Sequence, residues 1–258
     1  MRPGRKRCIF IFILAGCLLT GIIIGGRHLT VFCHAAWLES SLETKKVLFK
    51  PDDRKKKTIA LTFDDGPKSG VTDWLLEELD KRDVKATFFL IGNQVEMDSN
   101  DVIVRRMYED GHQIGCHTYS HVQMTLLTEE EQKQEIMEWY DTISGIIGDF
   151  AYCIRPPYGS VNNKLCACLD IPIILWSVDT LDWTGKPASD IADYIVSEAE
   201  DGDIILLHDI FEESVHGAVA AVDRLKELGY EFVTVDELLA EKGIAEEGGK
   251  VYRKAVIY

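Results

Sequence analysis

From Thr58 to Lys242, short apolar runs alternate with amphipathic segments, and this alternation constrains the fold more than any other feature of the chain. The apolar runs read as strands at Thr58–Phe63, Ala86–Ile91, Gln113–Cys116, Ala151–Arg155, Pro172–Ser177, Asp203–Leu207 and Glu231–Thr234. Between them, helical spacing predicts helices over Val71–Lys81, Asp101–Asp110, Glu129–Ile147, Asp190–Ala199, Val215–Leu228 and Val235–Lys242. Thr128 with Glu131 three residues later makes a capping box ahead of the longest. Strands alternating with helices imply parallel βαβ units, whose crossovers are right-handed. About seven such units close, or nearly close, into a barrel. The predicted class is α/β.

A second region differs in kind. Arg2, Arg5, Lys6 and Arg7 precede an uncharged apolar stretch from Cys8 to Gly26. Its 19 residues reach the length of a bilayer-spanning helix, and the basic flank predicts a cytoplasmic N-terminus. The expected organisation is therefore a transmembrane or signal helix over 1–26, a polar connector over 27–57 and a domain over 58–242. A Gly-punctuated, β-prone tail over 243–258 has no assigned role. Two cleaved forms compete with the anchor. Ala35-Ala36 offers a signal-peptide cleavage site, giving a secreted protein, and Leu14-Ala15-Gly16-Cys17 resembles a lipoprotein box that would lipidate Cys17. All three put the domain outside the cytoplasm.

Charge follows the same division. The chain carries −15 overall, but the leader's four basic residues leave 24 basic against 43 acidic side chains in the rest, a balance of −19. Such a surface repels phosphate backbones, which excludes nucleic acid as a partner of the domain. A content of 46% hydrophobic and 28% charged residues excludes a disordered chain. The seven cysteines show no regular spacing and read as free thiols rather than a disulfide framework.

The polar residues that carry chemistry stand at the carboxyl ends of the predicted strands, where parallel α/β folds build their sites. Thr62-Phe63-Asp64-Asp65-Gly66-Pro67 ends the first strand with adjacent carboxylates, although Asp-Gly-Pro alone is an ordinary turn signal. His117 and His121, four residues apart after the third strand, can face one point as paired metal ligands. With Asp65 they make a two-nitrogen, one-oxygen set suited to Zn²⁺, Co²⁺ or another divalent first-row ion. Arg155-Pro156-Pro157-Tyr158-Gly159 presents a guanidinium on a stiff loop. Asp179, Asp182 and Trp183 follow the fifth strand, and His208 closes the sixth as a candidate general acid.

Together these five segments resemble, in order, the motifs of the polysaccharide deacetylase family, also called the NodB homology domain or carbohydrate esterase family 4. The resemblance covers roughly Thr58 to Lys242. It implies a distorted (β/α)7-type barrel and metal-dependent removal of N-acetyl groups, usually from N-acetylglucosamine units of peptidoglycan or chitin-like chains. Some members instead remove O-acetyl groups from xylan. Carried over, Asp64 corresponds to the catalytic base, and Asp65, His117 and His121 to the metal ligands. Arg155 corresponds to the residue that orients the base, and Asp182 to the one that orients and tunes His208. The resemblance gives the Tyr158 amide to the oxyanion, and Trp183 and Leu207 to the acetyl pocket. Cys116 departs from the family pattern, which more often has Asn before the first histidine. The rival readings are an O-acetyl xylan esterase and a membrane-tethered glycan-binding protein without catalysis. The second should lack a base, ligand or acid, and none is missing.

Overall fold

A computed structural model describes residues 56–97 and 99–256. The expected anchor over 1–26, its cleavage alternatives and nearly all of the connector lie outside the described residues. No helix among the described residues is long and apolar enough to cross a membrane.

The strands are β1 (Lys57–Asp64), β2 (Thr87–Leu90), β3 (Gln113–Cys116), β4 (Ile173–Ile174), β5 (Val178–Asp179), β6 (Ile204–His208), β7 (Tyr230–Phe232) and β8 (Val251–Tyr252). Five pair in the parallel order β3-β2-β1-β6-β5, and β7 pairs with the first residues of β1. Beyond β3, Ile154 makes parallel bridges to Cys116 on one side and Ile173 on the other, continuing the path to β4, which pairs with β8. Lys254 then bridges to Asp203 just ahead of β6, so the tail returns to the sheet. The α/β class and the parallel sheet agree with the sequence reading. The tail of unassigned role supplies the last strand.

Two predicted strands shrink. Ala151–Arg155 survives as the one bridging residue Ile154, and Pro156 has no N–H with which to continue a ladder. Pro172–Ser177 survives only as Ile173–Ile174. There the Arg155 guanidinium takes the carbonyl oxygens of Ile174 (Nε, 3.2 Å) and Leu175 (Nη2, 3.0 Å).

Helices α1 (Thr72–Asp80), α2 (Gly92–Val95), α3 (Asn100–Glu109), α4 (Glu129–Ile147), α5 (Asn163–Cys168), α6 (Ala188–Glu198), α7 (Glu212–Glu227) and α8 (Val235–Glu241) fill the connections. The Thr128–Glu131 capping box forms as expected and starts α4. Gly217 lets α6 and α7 approach closely, since a Cβ there would lie 2.8 Å from that of Ile191. Alternation along the strands makes two apolar layers. Ile59, Leu61 and Phe63 of β1, with Ile205 and Leu207 of β6, belong to the larger cluster, shared with α1, α4 and α7. Ala60, Phe89 and Ile204 join Leu238 and Leu239 of α8 and Tyr252 and Ala255 of the tail in a second cluster. Its members Ala60 and Ile204 pair near the start of the sheet, whereas Phe89 reaches the level of Asp64 beneath the polar groups at the carboxyl ends. Cys116 and Cys153 are buried free thiols, and Cys166 and Cys168 are half-buried ones.

Candidate active site

Asp64 ends β1 and Asp65 follows it in the left-handed region, with φ of 73°. That turn redirects the second carboxylate away from the first. Gly66 must be glycine, because a Cβ there would fall 2.3 Å from the Asp209 carboxylate oxygens. Asp64 is buried, and its Oδ1 accepts from Arg155 Nη1 at 2.7 Å. The same Nη1 donates to Thr62 Oγ1 at 2.8 Å. Arg155 is fully buried, with its guanidinium 4.1 Å from the centre of the Phe89 ring. A permanently charged arginine, itself held by the Thr62 hydroxyl and the Ile174 and Leu175 carbonyls, fixes the Asp64 carboxyl in place.

Asp65, His117 and His121 converge, with one ligand atom from each within 4.8 Å of the others. Asp65 Oδ1 lies 3.4 Å from His117 Nε2 and 3.2 Å from His121 Nε2. This oxygen is buried and has no hydrogen-bond partner. Burial alone would raise the Asp65 pKa, but the two facing imidazoles hold it well below the usual carboxylate range. His117 Nδ1 is 2.6 Å from the Arg155 carbonyl oxygen, which can only accept, so Nδ1 carries a proton and Nε2 is the nitrogen turned toward Asp65. An orphaned carboxylate oxygen facing two imidazole nitrogens fits a divalent cation with borderline N/O preference. Cys116, at the position of the expected Asn, accepts the Thr118 N–H on its sulfur at 3.4 Å, so the loop retains a hydrogen bond there.

His208 ends β6 opposite these ligands. Its Nδ1 lies 2.9 Å from Asp182 Oδ1, and its backbone N–H donates to Asp182 Oδ2 at 2.8 Å. Asp182 Oδ2 also accepts from Ser214 Oγ, and Oδ1 accepts the Trp183 N–H at 3.0 Å. Burial opposes a charged His208, but Asp182, with Asp64 and Asp65 farther off, outweighs it and raises the imidazole to about 9. Burial likewise works against ionised Asp182, yet its bonds to His208 and Ser214 lower its pKa. The imidazole is therefore charged at neutral pH and its Nε2 is free to donate.

A cavity of about 450 Å³ joins Asp64, Asp65, His117, His121 and His208, with Tyr158, Trp176, Asp179 and Trp183 among its walls. Nearly all the predicted site residues meet there. Arg155 and Asp182 stand behind the cavity, holding Asp64 and His208. Leu207 is the exception. It packs in the helix-facing layer, and Leu206 lines the cavity instead. Alternation along β6 is the reason: His208 faces inward, so Leu206 does and Leu207 cannot. Counting back in twos from His208 would have found it. Trp176 and Ser214 carried no such signal, because their partners are distant in sequence. A second cavity of about 580 Å³ shares Asp65 and His121 as walls and extends past Lys68, Met97 and Phe211. Asp65 and His121 thus lie between two concavities.

The polysaccharide deacetylase family model matches residues 52–170, which include the Asp64–Asp65, His117–His121 and Arg155–Tyr158 segments. Peptidoglycan-N-acetylglucosamine deacetylase PgdA of Listeria monocytogenes serotype 1/2a is 40% identical over 206 residues. That alignment covers 80% of this chain and 43% of the Listeria protein, so the chain spans less than half that relative's length. A peptidoglycan-N-acetylglucosamine deacetylase of Bacillus cereus is 37% identical over 190 residues, 71% of this chain and 68% of that protein. Among solved structures, a family 4 acetyl xylan esterase from Clostridium thermocellum, in complex with cobalt, is similar with a TM-score of 0.73. It is 33% identical, and the match covers 78% of this chain and 100% of that one. With the five motifs in order around one cavity and relatives this similar across the same segment, the chain belongs to the polysaccharide deacetylase family.

Proposed function

We propose that this chain is a metal-dependent polysaccharide N-deacetylase acting outside the cytoplasm on N-acetylglucosamine units of peptidoglycan or a chitin-like polymer. The observation that carries the reading is the arrangement of one base, one acid and three ligands around one cavity, each proton-handling group with its own buried partner. The relatives named for peptidoglycan deacetylation support the polymer class. Residues 58–242 form the catalytic domain in this reading, and residues 1–26 tether it to the membrane.

Asp65, His117 and His121 hold the ion, Zn²⁺ or Co²⁺. When bound, it supplies a water of lowered pKa and polarises the acetyl carbonyl. Asp64, fixed by Arg155, takes a proton from the attacking water. The Tyr158 amide N–H faces the charge that develops on the carbonyl oxygen. His208, already protonated, gives its Nε2 proton to the departing sugar amine, and Asp182 stabilises the imidazolium before that step. Trp183 and Leu206 bound the space for the acetyl methyl, and Trp183, 57% exposed, offers its ring to the sugar face.

The test is acetate release by the full-length chain from N-acetylglucosamine oligomers, peptidoglycan and acetylated xylan, each with and without chelator. Release from the first two, abolished by chelator and restored by Co²⁺ or Zn²⁺, is expected. Release from xylan alone would reassign the enzyme as an O-acetyl esterase, the reading that the Clostridium structure favours. No release from any of them by protein with metal bound would leave a glycan-binding role and sink the enzymatic one.

A further inference from the structure

The loop that joins the two histidines has a tie to α4 that the proposed reaction does not use. Thr118 and His121 both adopt left-handed backbone, with φ of 64° and 57°. There a side chain crowds its own backbone, and the conformation persists only where the surroundings enforce it. On its inner side the loop is held by the Thr118 N–H on Cys116 Sγ, the Gly92 N–H on the Thr118 carbonyl (3.1 Å) and the Asn93 N–H on the Tyr119 carbonyl (2.9 Å). The residue next to His121 is Ser120, and its anchor is Glu135. Glu135 Oε2 accepts the N–H groups of Tyr119 (3.1 Å) and Ser120 (2.9 Å), and Oε1 accepts from Ser120 Oγ at 2.6 Å. Two consecutive amides and a hydroxyl thus converge on one carboxylate, a charge-assisted set.

The two histidines differ in what aims them. The His117 side chain is 3% exposed, and its ring is locked by the Arg155 carbonyl at 2.6 Å. The His121 side chain is 29% exposed, and its Nδ1 meets only the Tyr158 hydroxyl, at 3.4 Å. His121 therefore depends on its backbone for its aim. Glu135 is well placed to supply it: the capping box fixes the start of α4 about two turns earlier, and Ile136 and Trp139 beside it are buried. We propose that Glu135 is a positioning residue for the metal site, clamping residues 119–120 so that His121 presents Nε2 to the ion. This rests on reading Asp65, His117 and His121 as the ligand set.

Reach and charge separate in two substitutions. Glu135→Gln keeps the reach and an acceptor oxygen without the charge; Glu135→Asp keeps the charge but withdraws it from the loop. Full-length wild type and both variants are stripped with chelator and titrated with Co²⁺, following the visible d–d absorption. Loss of an outer partner of a metal ligand weakens binding on the order of 10–100-fold. Glu135→Asp is expected in that range with an altered band shape, and Glu135→Gln within about threefold of wild type. Asp binding as tightly as wild type, or more tightly than Gln, overturns the proposal, because charge or nothing would then matter rather than reach. A wild type that takes up no Co²⁺ overturns the ligand reading beneath it.

Discussion

The two ends of the sheet are built from opposite materials. Where the strands end, Asp64, Asp65, His117, Arg155, Asp182 and His208 crowd together, and the backbone takes forms that side chains disfavour. Five of the seven non-glycine residues with positive φ among the described residues, Asp65, Thr118, His121, Tyr158 and Leu181, lie in these loops. Where the strands begin, Ala60, Ile204, Leu238, Leu239, Tyr252 and Ala255 make an apolar plug. Strained loops and buried charge at one end are tolerated because side-chain hydrogen bonds pin them and close packing at the other end stabilises the whole. Chemistry and stability should therefore respond to different substitutions.

His208→Ala tests the polar end and should have the largest effect. Turnover is expected to fall about 10²–10⁴-fold, the usual contribution of a positioned acid, with metal content and melting temperature little changed. Loss of metal, or wild-type turnover, would contradict the role. Leu239→Ala tests the plug. Leu239 is fully buried, and its truncation should cost about 2–5 kcal/mol in urea unfolding while kcat per folded molecule holds. A fall in kcat without a fall in stability would show that the two ends are not separable. The smallest effect concerns pH. With His208 raised to about 9, its acid form persists up to that pH, and activity is expected to fall above it. Asp182→Asn removes the main group raising it, so burial prevails and the alkaline limb should move down by about one unit or more. An unmoved limb would assign that limb to another group.

Much of this was readable before any coordinates. Helix α4 runs over the predicted residues, because the capping box sets its start and Gly148, with φ of 84°, ends it. Strand β3 likewise runs over the predicted Gln113–Cys116. Hydrophobicity predicts longer strands around Ile154 and Ile173 than form, since it marks burial but not who takes the carbonyls. Arg155 takes them across 19 and 20 residues. The tail reads as β-prone, but spacing sets neither the bounds nor the role of its strand at Val251–Tyr252, because two residues carry too little periodicity and their partner is β4.

The sequence by itself determined the α/β class, the family and the identity of the base, acid and ligand candidates, because these follow from local periodicity and from motifs in order. Tertiary structure alone decided which neighbour each group meets. It put Leu206 rather than Leu207 in the cavity, gave His117 the Arg155 carbonyl, and set Glu135 under the loop that carries His121. Those outcomes depend on strand facing and on contacts between distant segments. Spacing along one chain does not encode either, because a one-residue change of facing exchanges the two sides of a strand.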